Sequence, residues 1–167
     1  KSADKKPVNL YNKNHNAAIG KAWQDLMINS PYQLQEKMAL FWHGHFATRI
    51  QQSLFNLGII NIFRKNALGS FRDLVFEVSQ SPAMLTFLNN QQNKKAKANE
   101  NFARELMELF TLGRGNLYTE TDIRESARAF TGWSYDENGD FKENIKQHDP
   151  GEKEFIGKKG NFTGTDI

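Results

Sequence analysis

The sequence predicts an all-α fold, a multi-helix bundle-like domain that ends in a loop-rich tail. Apolar residues recur every three or four positions through most of the chain up to Trp133, which is typical of amphipathic helices. Serine, threonine or asparagine precedes several of these apolar stretches and marks helix starts. No sustained apolar–polar alternation predicts a strand before Trp133.

The first two predicted helices lie in residues 16–44. One spans residues 16–29, and Ser30 caps the next, with Pro31 at its first position and an end near Gly44. The apolar positions that share a face of this second helix are Leu34, Met38, Phe41 and Trp42. We therefore expect this face to be buried.

A glycine and two serine caps divide the next stretch of the chain. Residues 51–67 are predicted to form a helix that is broken near Gly58. Ser70 caps a further helix, and Ser81, which a proline follows, begins a short one. Residues 89–98 lack large apolar side chains, so we expect a surface loop there.

Residues 97–133 are the most informative part of the chain and predict two capped helices. Asn99 caps the first helix and Gly113 ends it. Its predicted core positions are Phe102, Leu106, Leu109 and Phe110. Thr119 caps the second helix, with Asp122 at the third position. The inner face of that helix is predicted to be Ile123, Ala127 and Phe130.

The chain is divided by composition into three parts. Residues 1–15 are polar and predict a flexible lead-in, residues 16–133 form the helical core, and residues 134–167 form the tail. Frequent glycines predict loops in the tail, with a short hairpin around Phe141 and Phe155. A helix-cap pattern close to the last residue leads us to expect that the tail is truncated just before a further helix.

Composition narrows the range of functions. The chain has 167 residues, which predicts one domain, and its formal net charge of +3 is too small to indicate nucleic-acid binding. No apolar run is long enough to predict a membrane span. The chain contains no cysteine, which excludes disulfides and thiolate metal sites.

Several side chains are candidates for a metal or catalytic site. Imidazole and carboxylate groups are the ligands that borderline divalent metals favour. The candidate metal ligands are His43, His45, Glu105, Glu108, His148 and Asp149, and the catalytic candidates among them are His45, Glu105 and Glu108. A divalent metal is the cofactor that this pattern would accept. The alternative is that the histidines and glutamates form a structural hydrogen-bond network.

A second set of charged residues lies on the two helices of residues 97–133. The members are Glu100, Arg104, Arg124 and Arg128. The short connection between the helices could bring these side chains together with Glu105 and Glu108. We expect His45, Glu105, Glu108 and Arg128 to share one partly buried network, because a buried charge without a partner is several kcal/mol unfavourable.

Three sequence blocks carry a resemblance to a known family. They are FWHGHF at residues 41–46, NENFARELMEL at residues 99–109 and ARAFTGW at residues 127–133. With these blocks the chain resembles the bacterial family known as domain of unknown function 1800. The resemblance implies an exported protein, periplasmic or secreted, with an alkaline-phosphatase-like protein encoded nearby as a partner. It implies no particular reaction.

Two hypotheses of function follow from the sequence. The first is a helical binding or assembly module of an exported bacterial protein, in which the His, Glu and Arg residues are structural. The second is a hydrolytic, metal-dependent enzyme, in which a carboxylate acts as general base and a metal activates water. The sequence does not decide whether the protein is an enzyme, because it contains no complete catalytic motif.

Overall fold

The computed structural model describes residues 13–167, and the part that it describes is mainly helical. Its α-helices are α1 (Lys13–Asn29), α2 (Gln33–His45), α3 (Ser53–Asn66), α4 (Phe71–Gln80), α5 (Pro82–Phe87), α6 (Asn101–Glu105) and α7 (Glu120–Ala129). A 3₁₀ turn covers Asn90–Gln92, and a π-helical segment, Leu106–Thr111, continues α6. Most of the predicted lead-in lies outside the described residues, and its last three residues belong to α1.

The predicted helical domain is confirmed, but the structure adds two antiparallel strand pairs after α7, where the sequence predicted one short hairpin. They are β1 (Trp133–Tyr135) with β2 (Phe141–Glu143), and β3 (Lys153–Phe155) with β4 (Lys158–Gly160). Tyr135 pairs with Phe141, and Phe155 pairs with Lys158. The two phenylalanines that we expected in one hairpin therefore lie in different sheets. Three-residue strands are too short to produce a recognisable alternation.

Helix packing follows the order of the chain. α2 packs against α3 and α1, α3 packs against α4 and α5, and α6 packs against α7. β3 packs against α7 and β1 packs against α5, so both strand pairs lie on the helices. The largest side chains that are fully buried include Phe46, Phe63, Phe102, Phe130 and Trp133. No helix within residues 13–167 has the length and apolar character needed to cross a membrane.

The structure corrects two predictions for α2: the residue at which the helix begins and the face that is buried. The helix begins at Gln33, and Ser30 Oγ accepts a hydrogen bond from the Tyr32 backbone N–H in a turn before it. Leu34 is 63% exposed, whereas Glu36 is buried. Phe41 is exposed, Met38 and Trp42 are half-buried, and Ala39 is buried. The buried face of α2 therefore includes the carboxylate of Glu36, which the pattern of apolar residues could not reveal.

Two serine caps are confirmed and one predicted break is wrong. Ser70 Oγ accepts a hydrogen bond from Asp73 N, and Ser81 Oγ accepts one from Met84 N. α3 continues through Gly58 without interruption. A Cβ added at Gly58 would meet nothing within 4 Å, so the residue lies in an open part of a regular helix.

The stretch at residues 89–98 is only partly the surface loop that we predicted. Asn90 and Asn93 are both buried, and Asn93 Nδ2 donates to the Ala127 carbonyl at 2.8 Å. Asn93 Oδ1 accepts a hydrogen bond from the Asn99 backbone N–H at 2.9 Å. Asn93 is buried because it binds main-chain groups of neighbouring segments, and Asn90 Oδ1 accepts a further hydrogen bond from Asn93 Nδ2 at 3.1 Å.

The π-helical segment changes the buried face that we predicted after α6. Phe102, Leu106 and Phe110 are buried as predicted, but Leu109 is 56% exposed. A π turn closes i→i+5 hydrogen bonds and holds more residues than an α turn, so the inward positions recur every fourth residue. The predicted cap is confirmed by its hydrogen bond: Asn99 Oδ1 accepts from the backbone N–H of Asn101, the first residue of α6, at 3.1 Å, although Glu100 stands between them.

The local signals of α7 are confirmed. Thr119 and Asp122 form the predicted capping box, in which Asp122 Oδ2 accepts from Thr119 N at 2.7 Å. The predicted inner face, Ile123, Ala127 and Phe130, is fully buried. Gly113 has φ +76°, which explains why a glycine stands where the preceding helix ends.

Candidate functional site

Arg128 binds the loop that follows β2. Its Nε donates to Asp149 Oδ2 at 2.7 Å, and its Nη1 donates to Glu125 Oε2 at 2.6 Å and to the Glu152 carbonyl at 3.2 Å. The hydrogen bond from Arg128 holds the pKa of Asp149 below its ordinary value, and the same bond raises the pKa of Arg128. The guanidinium is therefore permanently charged and fastens the tail to α7.

A second cation, Lys153, is enclosed by the same loop. Its side chain is 2% exposed, and Nζ donates to the carbonyls of Asp149 at 2.7 Å and Gly151 at 2.9 Å. Burial lowers the pKa of Lys153. A Cβ at Gly151 would lie 2.8 Å from Arg128 Nη2, so the loop approaches the guanidinium closely. Arg128 pairs with both carboxylates of this group, Glu125 and Asp149, whereas Lys153 is bound through main-chain carbonyls.

Thr131 and His148 complete this attachment of the tail. Thr131 Oγ1 donates to the Arg128 carbonyl at 2.6 Å and accepts from the Asp149 N–H at 2.7 Å. His148 Nδ1 lies 3.0 Å from the Thr131 carbonyl. Because a carbonyl only accepts, Nδ1 carries a proton, and His148 acts as a donor to the main chain.

Gly132 joins two loops at one point. Its N–H donates to the Asn93 carbonyl at 2.9 Å, and its carbonyl accepts from Asn144 N at 2.8 Å. Its φ is +85°, and a Cβ there would lie 2.5 Å from the Asn144 carbonyl oxygen. Only glycine fits this position, which accounts for the glycine of the ARAFTGW block.

Arg104 is the centre of a separate group of charges. Its two terminal nitrogens bind the Glu120 carboxylate at 2.9 and 2.8 Å, and Nη2 also binds Glu100 at 3.1 Å. The pair raises the pKa of Arg104 and lowers that of Glu120, mainly through their hydrogen bonds. Glu108 lies 3.6 Å from Arg104 and also pairs with Arg114 at 3.3 Å. These contacts lie at the surface and bridge α6 to the start of α7.

His45 and His43 face different parts of the core. His45 Nε2 donates to the Phe110 carbonyl at 2.9 Å, which ties the end of α2 to the π-helical segment. His43 stands edge-on to the rings of Trp23 at 5.4 Å and Phe63 at 5.9 Å, and burial lowers its pKa. The two imidazoles do not point to one site.

The structure does not bring the predicted site residues together. His45 binds a backbone carbonyl, Glu108 belongs to the Arg104 group, and Arg128 belongs to the Asp149 group. The side chain of Glu105 is half-buried and forms no hydrogen bond or ion pair within residues 13–167. Arg124 is exposed and bonds only to Thr121 in this part of the chain.

The prediction of a single network is therefore wrong. The partners are separate: the Phe110 carbonyl for His45, Arg104 for Glu108 and Asp149 for Arg128. The described residues also contain no cluster of three or more His, Asp or Glu side chains that could hold a metal ion. His148 and Asp149, although adjacent in sequence, are bound to Thr131 and Arg128 respectively.

Sequence reasoning missed a buried ion pair between α2 and α3. Glu36 is 1% exposed and binds Arg64 Nη2 at 2.8 Å, and Trp23 Nε1 donates to its other oxygen at 3.2 Å. The partners lie 28 and 13 positions away. No local motif contains them, so the only available signal was the acidic residue on a helix rich in apolar residues.

An open cavity of about 440 Å³ lies between α4, the π-helical segment and the last residues. Four exposed apolar side chains stand at its edge: Phe71, Phe76, Leu112 and Ile156. Leu106, Met107, Phe130 and Trp133 form part of its wall. Phe71 also contacts the half-buried Trp42 ring at 5.7 Å, which extends the apolar surface toward Phe41. We call this surface the apolar groove.

Ile156 has an unusual conformation at the edge of the apolar groove. Its φ is +48°, in a two-residue turn with Gly157 between β3 and β4. β-branched residues rarely adopt this conformation, which costs roughly 1–2 kcal/mol. Asp122 Oδ1 accepts a hydrogen bond from Ile156 N and so fixes the turn from the start of α7.

Comparison with known proteins identifies a family. The family described as "Protein of unknown function (DUF1800)" matches residues 3–167. No curated protein and no solved structure matches the chain.

Proposed function

The chain belongs to this family, and from that premise we propose that the domain is a binding module whose partner docks in the apolar groove. One observation carries the proposal: a 440 Å³ cavity opens to the surface between exposed Phe71, Phe76, Leu112 and Ile156. Cavities of this size that are lined by aromatic and aliphatic side chains are typical of binding sites.

The conformation of Ile156 supports binding at this edge. A left-handed isoleucine that stays exposed is unfavourable both for its backbone and for its side chain. Asp122 holds it there. Strain of this kind is concentrated at binding sites, where it fixes a side chain in the orientation that a partner needs.

The polar residues around the groove favour a protein partner. Arg72 lines the cavity and forms no ion pair within residues 13–167, so it can bind a carboxylate at the edge. The apolar surface also continues beyond the cavity to Phe71 and Trp42. We expect an amphipathic helix or loop that places apolar side chains in the groove and an acidic side chain opposite Arg72.

The setting of the module is also a proposal. Resemblance implied an exported bacterial protein with an alkaline-phosphatase-like protein encoded nearby, and we propose that protein as the first partner to test. We place the module in the periplasm or outside the cell on the basis of this resemblance.

The metal-dependent hydrolase receives less support from the geometry. His45 and Glu108, two of its three catalytic candidates, are bound to the Phe110 carbonyl and to Arg104 and Arg114. Glu105, the third, has no imidazole partner within residues 13–167. We therefore place the function in the apolar groove.

Calorimetric titration with the purified alkaline-phosphatase-like protein tests this function. We expect saturable binding by the wild-type chain and a loss of about 100-fold in affinity for the double variant Phe71→Ser/Phe76→Ser, since a few large side chains contribute most of the binding energy of an interface. Ile28→Ser is the matched control, because Ile28 is an exposed apolar residue of α1 that does not line the cavity.

A second readout separates a wrong partner from a wrong site. The dye 1-anilinonaphthalene-8-sulfonate should fluoresce with the folded wild-type chain and much less with the double variant. Dye binding without protein binding would show an accessible groove and a different partner. Equal dye binding by wild type, the double variant and Ile28→Ser would contradict the groove as the binding site.

A further inference from the structure

We propose that a second face of this domain, separate from the apolar groove, binds the surface of an anionic lipid bilayer. The face consists of Lys94, Lys95, Lys97, Lys146 and Ile145, and we call it the basic ledge. All five side chains are exposed, and Ile145 is the most exposed large apolar residue of the described chain, at 82%. None of the five lines the apolar groove.

Two loops form the basic ledge side by side. The first is a tight turn, in which Lys97 N donates to the Lys94 carbonyl at 2.8 Å. The backbone N–H of Lys95 donates to the Gln147 carbonyl at 2.8 Å, which joins this turn to the second loop. Lys146 directly precedes Gln147, so a fourth lysine lies beside the three lysines of the turn.

Hydrogen bonds to the core hold both loops of the basic ledge in place. Asn93, directly before the turn, is buried and donates to the Ala127 carbonyl at 2.8 Å. Gly132 donates to the Asn93 carbonyl and accepts from Asn144 N, at the base of the second loop. The two loops are therefore held in one relative position, and binding would not have to order them first.

The four lysines of the basic ledge are unpaired within the described part of the chain. None of its four lysine side chains forms an ion pair or a hydrogen bond with any other residue between 13 and 167. Glu143 is an exposed carboxylate two positions from Ile145. Asp149, farther along, is already paired with Arg128. The basic ledge thus carries four ammonium groups and has one exposed carboxylate, Glu143, close by in sequence, and such a surface attracts anionic headgroups.

Ile145 favours a bilayer over a soluble polyanion. An aliphatic side chain between a basic turn and Lys146 gains nothing from phosphate groups in water, but it gains free energy when it enters the boundary between headgroups and acyl chains. Basic side chains around a protruding apolar one are typical of peripheral membrane binding.

Co-sedimentation of the full chain with vesicles tests the proposal. The vesicles contain phosphatidylcholine alone, or phosphatidylcholine and phosphatidylglycerol in equal parts, at low ionic strength. We expect binding only to the anionic vesicles. The triple variant Lys94→Gln/Lys95→Gln/Lys97→Gln should bind about 100-fold more weakly, because each lysine at an anionic surface contributes about fivefold.

The matched control carries the same change in net charge elsewhere. Lys21→Gln/Lys37→Gln/Lys158→Gln removes three exposed lysines from α1, α2 and β4 and should bind within a few-fold of wild type. Ile145→Ser should weaken vesicle binding about tenfold. It should leave binding to heparin, a soluble polyanion, unchanged.

Three results would overturn the proposal. The first is that the wild-type chain fails to bind the anionic vesicles, and the second is that the two triple variants bind them equally. The third is that Ile145→Ser binds vesicles as well as wild type, which would show a site for soluble polyanions. Far-ultraviolet circular dichroism of each variant verifies that the fold is retained.

Discussion

Arg128 binds Asp149, the Glu152 carbonyl and Glu125, and the first two lie in the tail. The sequence predicted a functional or structural role for the charge of Arg128. It did not predict the partner, because Asp149 lies 21 positions away in a region without a helical pattern. The structure assigns this arginine an architectural role: it fixes the tail against α7.

Asp149→Asn should destabilise the protein in a pH-dependent manner. At neutral pH we expect a loss of roughly 1.5–3 kcal/mol in the free energy of unfolding, since the Arg128 guanidinium loses the negative charge of its partner and one of its two acceptor oxygens. The folded-state pKa of Asp149 lies below its unfolded value, so its stabilisation is present above the unfolded pKa and is lost as pH falls through the folded pKa.

Urea unfolding of both proteins between pH 7 and the acid range measures this effect. The difference between wild type and Asp149→Asn should shrink once the pH falls below the ordinary pKa of 3.8. Asp140→Asn is a control at an exposed aspartate of the tail that forms no ion pair within residues 13–167. A constant difference at all pH values would contradict the ion pair.

Ile156→Asn should stabilise the fold and weaken partner binding. Asparagine followed by glycine suits the two-residue turn between β3 and β4, so we expect a gain of about 1 kcal/mol in the free energy of unfolding. Thermal unfolding and calorimetric titration measure the two effects. A variant that is less stable than wild type would show that Ile156 is not strained, and unchanged binding would place the partner elsewhere.

Among the elements, those set by short-range signals were predictable from the sequence. The Ser70 and Ser81 caps and the Thr119–Asp122 capping box depend on hydrogen bonds across three residues, and all three are confirmed. The buried face of α2 was not predictable, because Glu36 turns inward to meet Arg64. The strands were missed because each is three residues long.

Because of the π-helical segment, we predict different effects of truncating Leu106 and Leu109. Leu106→Ala should cost about 2–5 kcal/mol, since Leu106 is buried, and Leu109→Ala should cost less than about 0.5 kcal/mol, since Leu109 is exposed. Chemical denaturation of the two variants measures both. Equal losses would indicate a regular α-helix, in which the two leucines share the buried face as the sequence pattern suggested.

For the molecule as a whole, the sequence identified the important residues more reliably than it identified their roles. Arg104, Arg128 and Gly132 each make several contacts, and these contacts join α6 to α7 and the tail to the core. The groove could not be predicted, because its edge combines Phe71 of α4, Leu112 after the π-helical segment and Ile156 of the tail. Distant segments of the chain meet only in the folded state.

Hydrogen–deuterium exchange of the chain with and without the alkaline-phosphatase-like protein tests the central claim most directly. We expect new protection in α4, around Leu112 and in the turn at Ile156, with no change in the Asp149 loop or the basic ledge. Protection confined to the Arg104 or Arg128 groups, with the apolar groove unchanged, would contradict the account, because it would make the paired charges the binding surface.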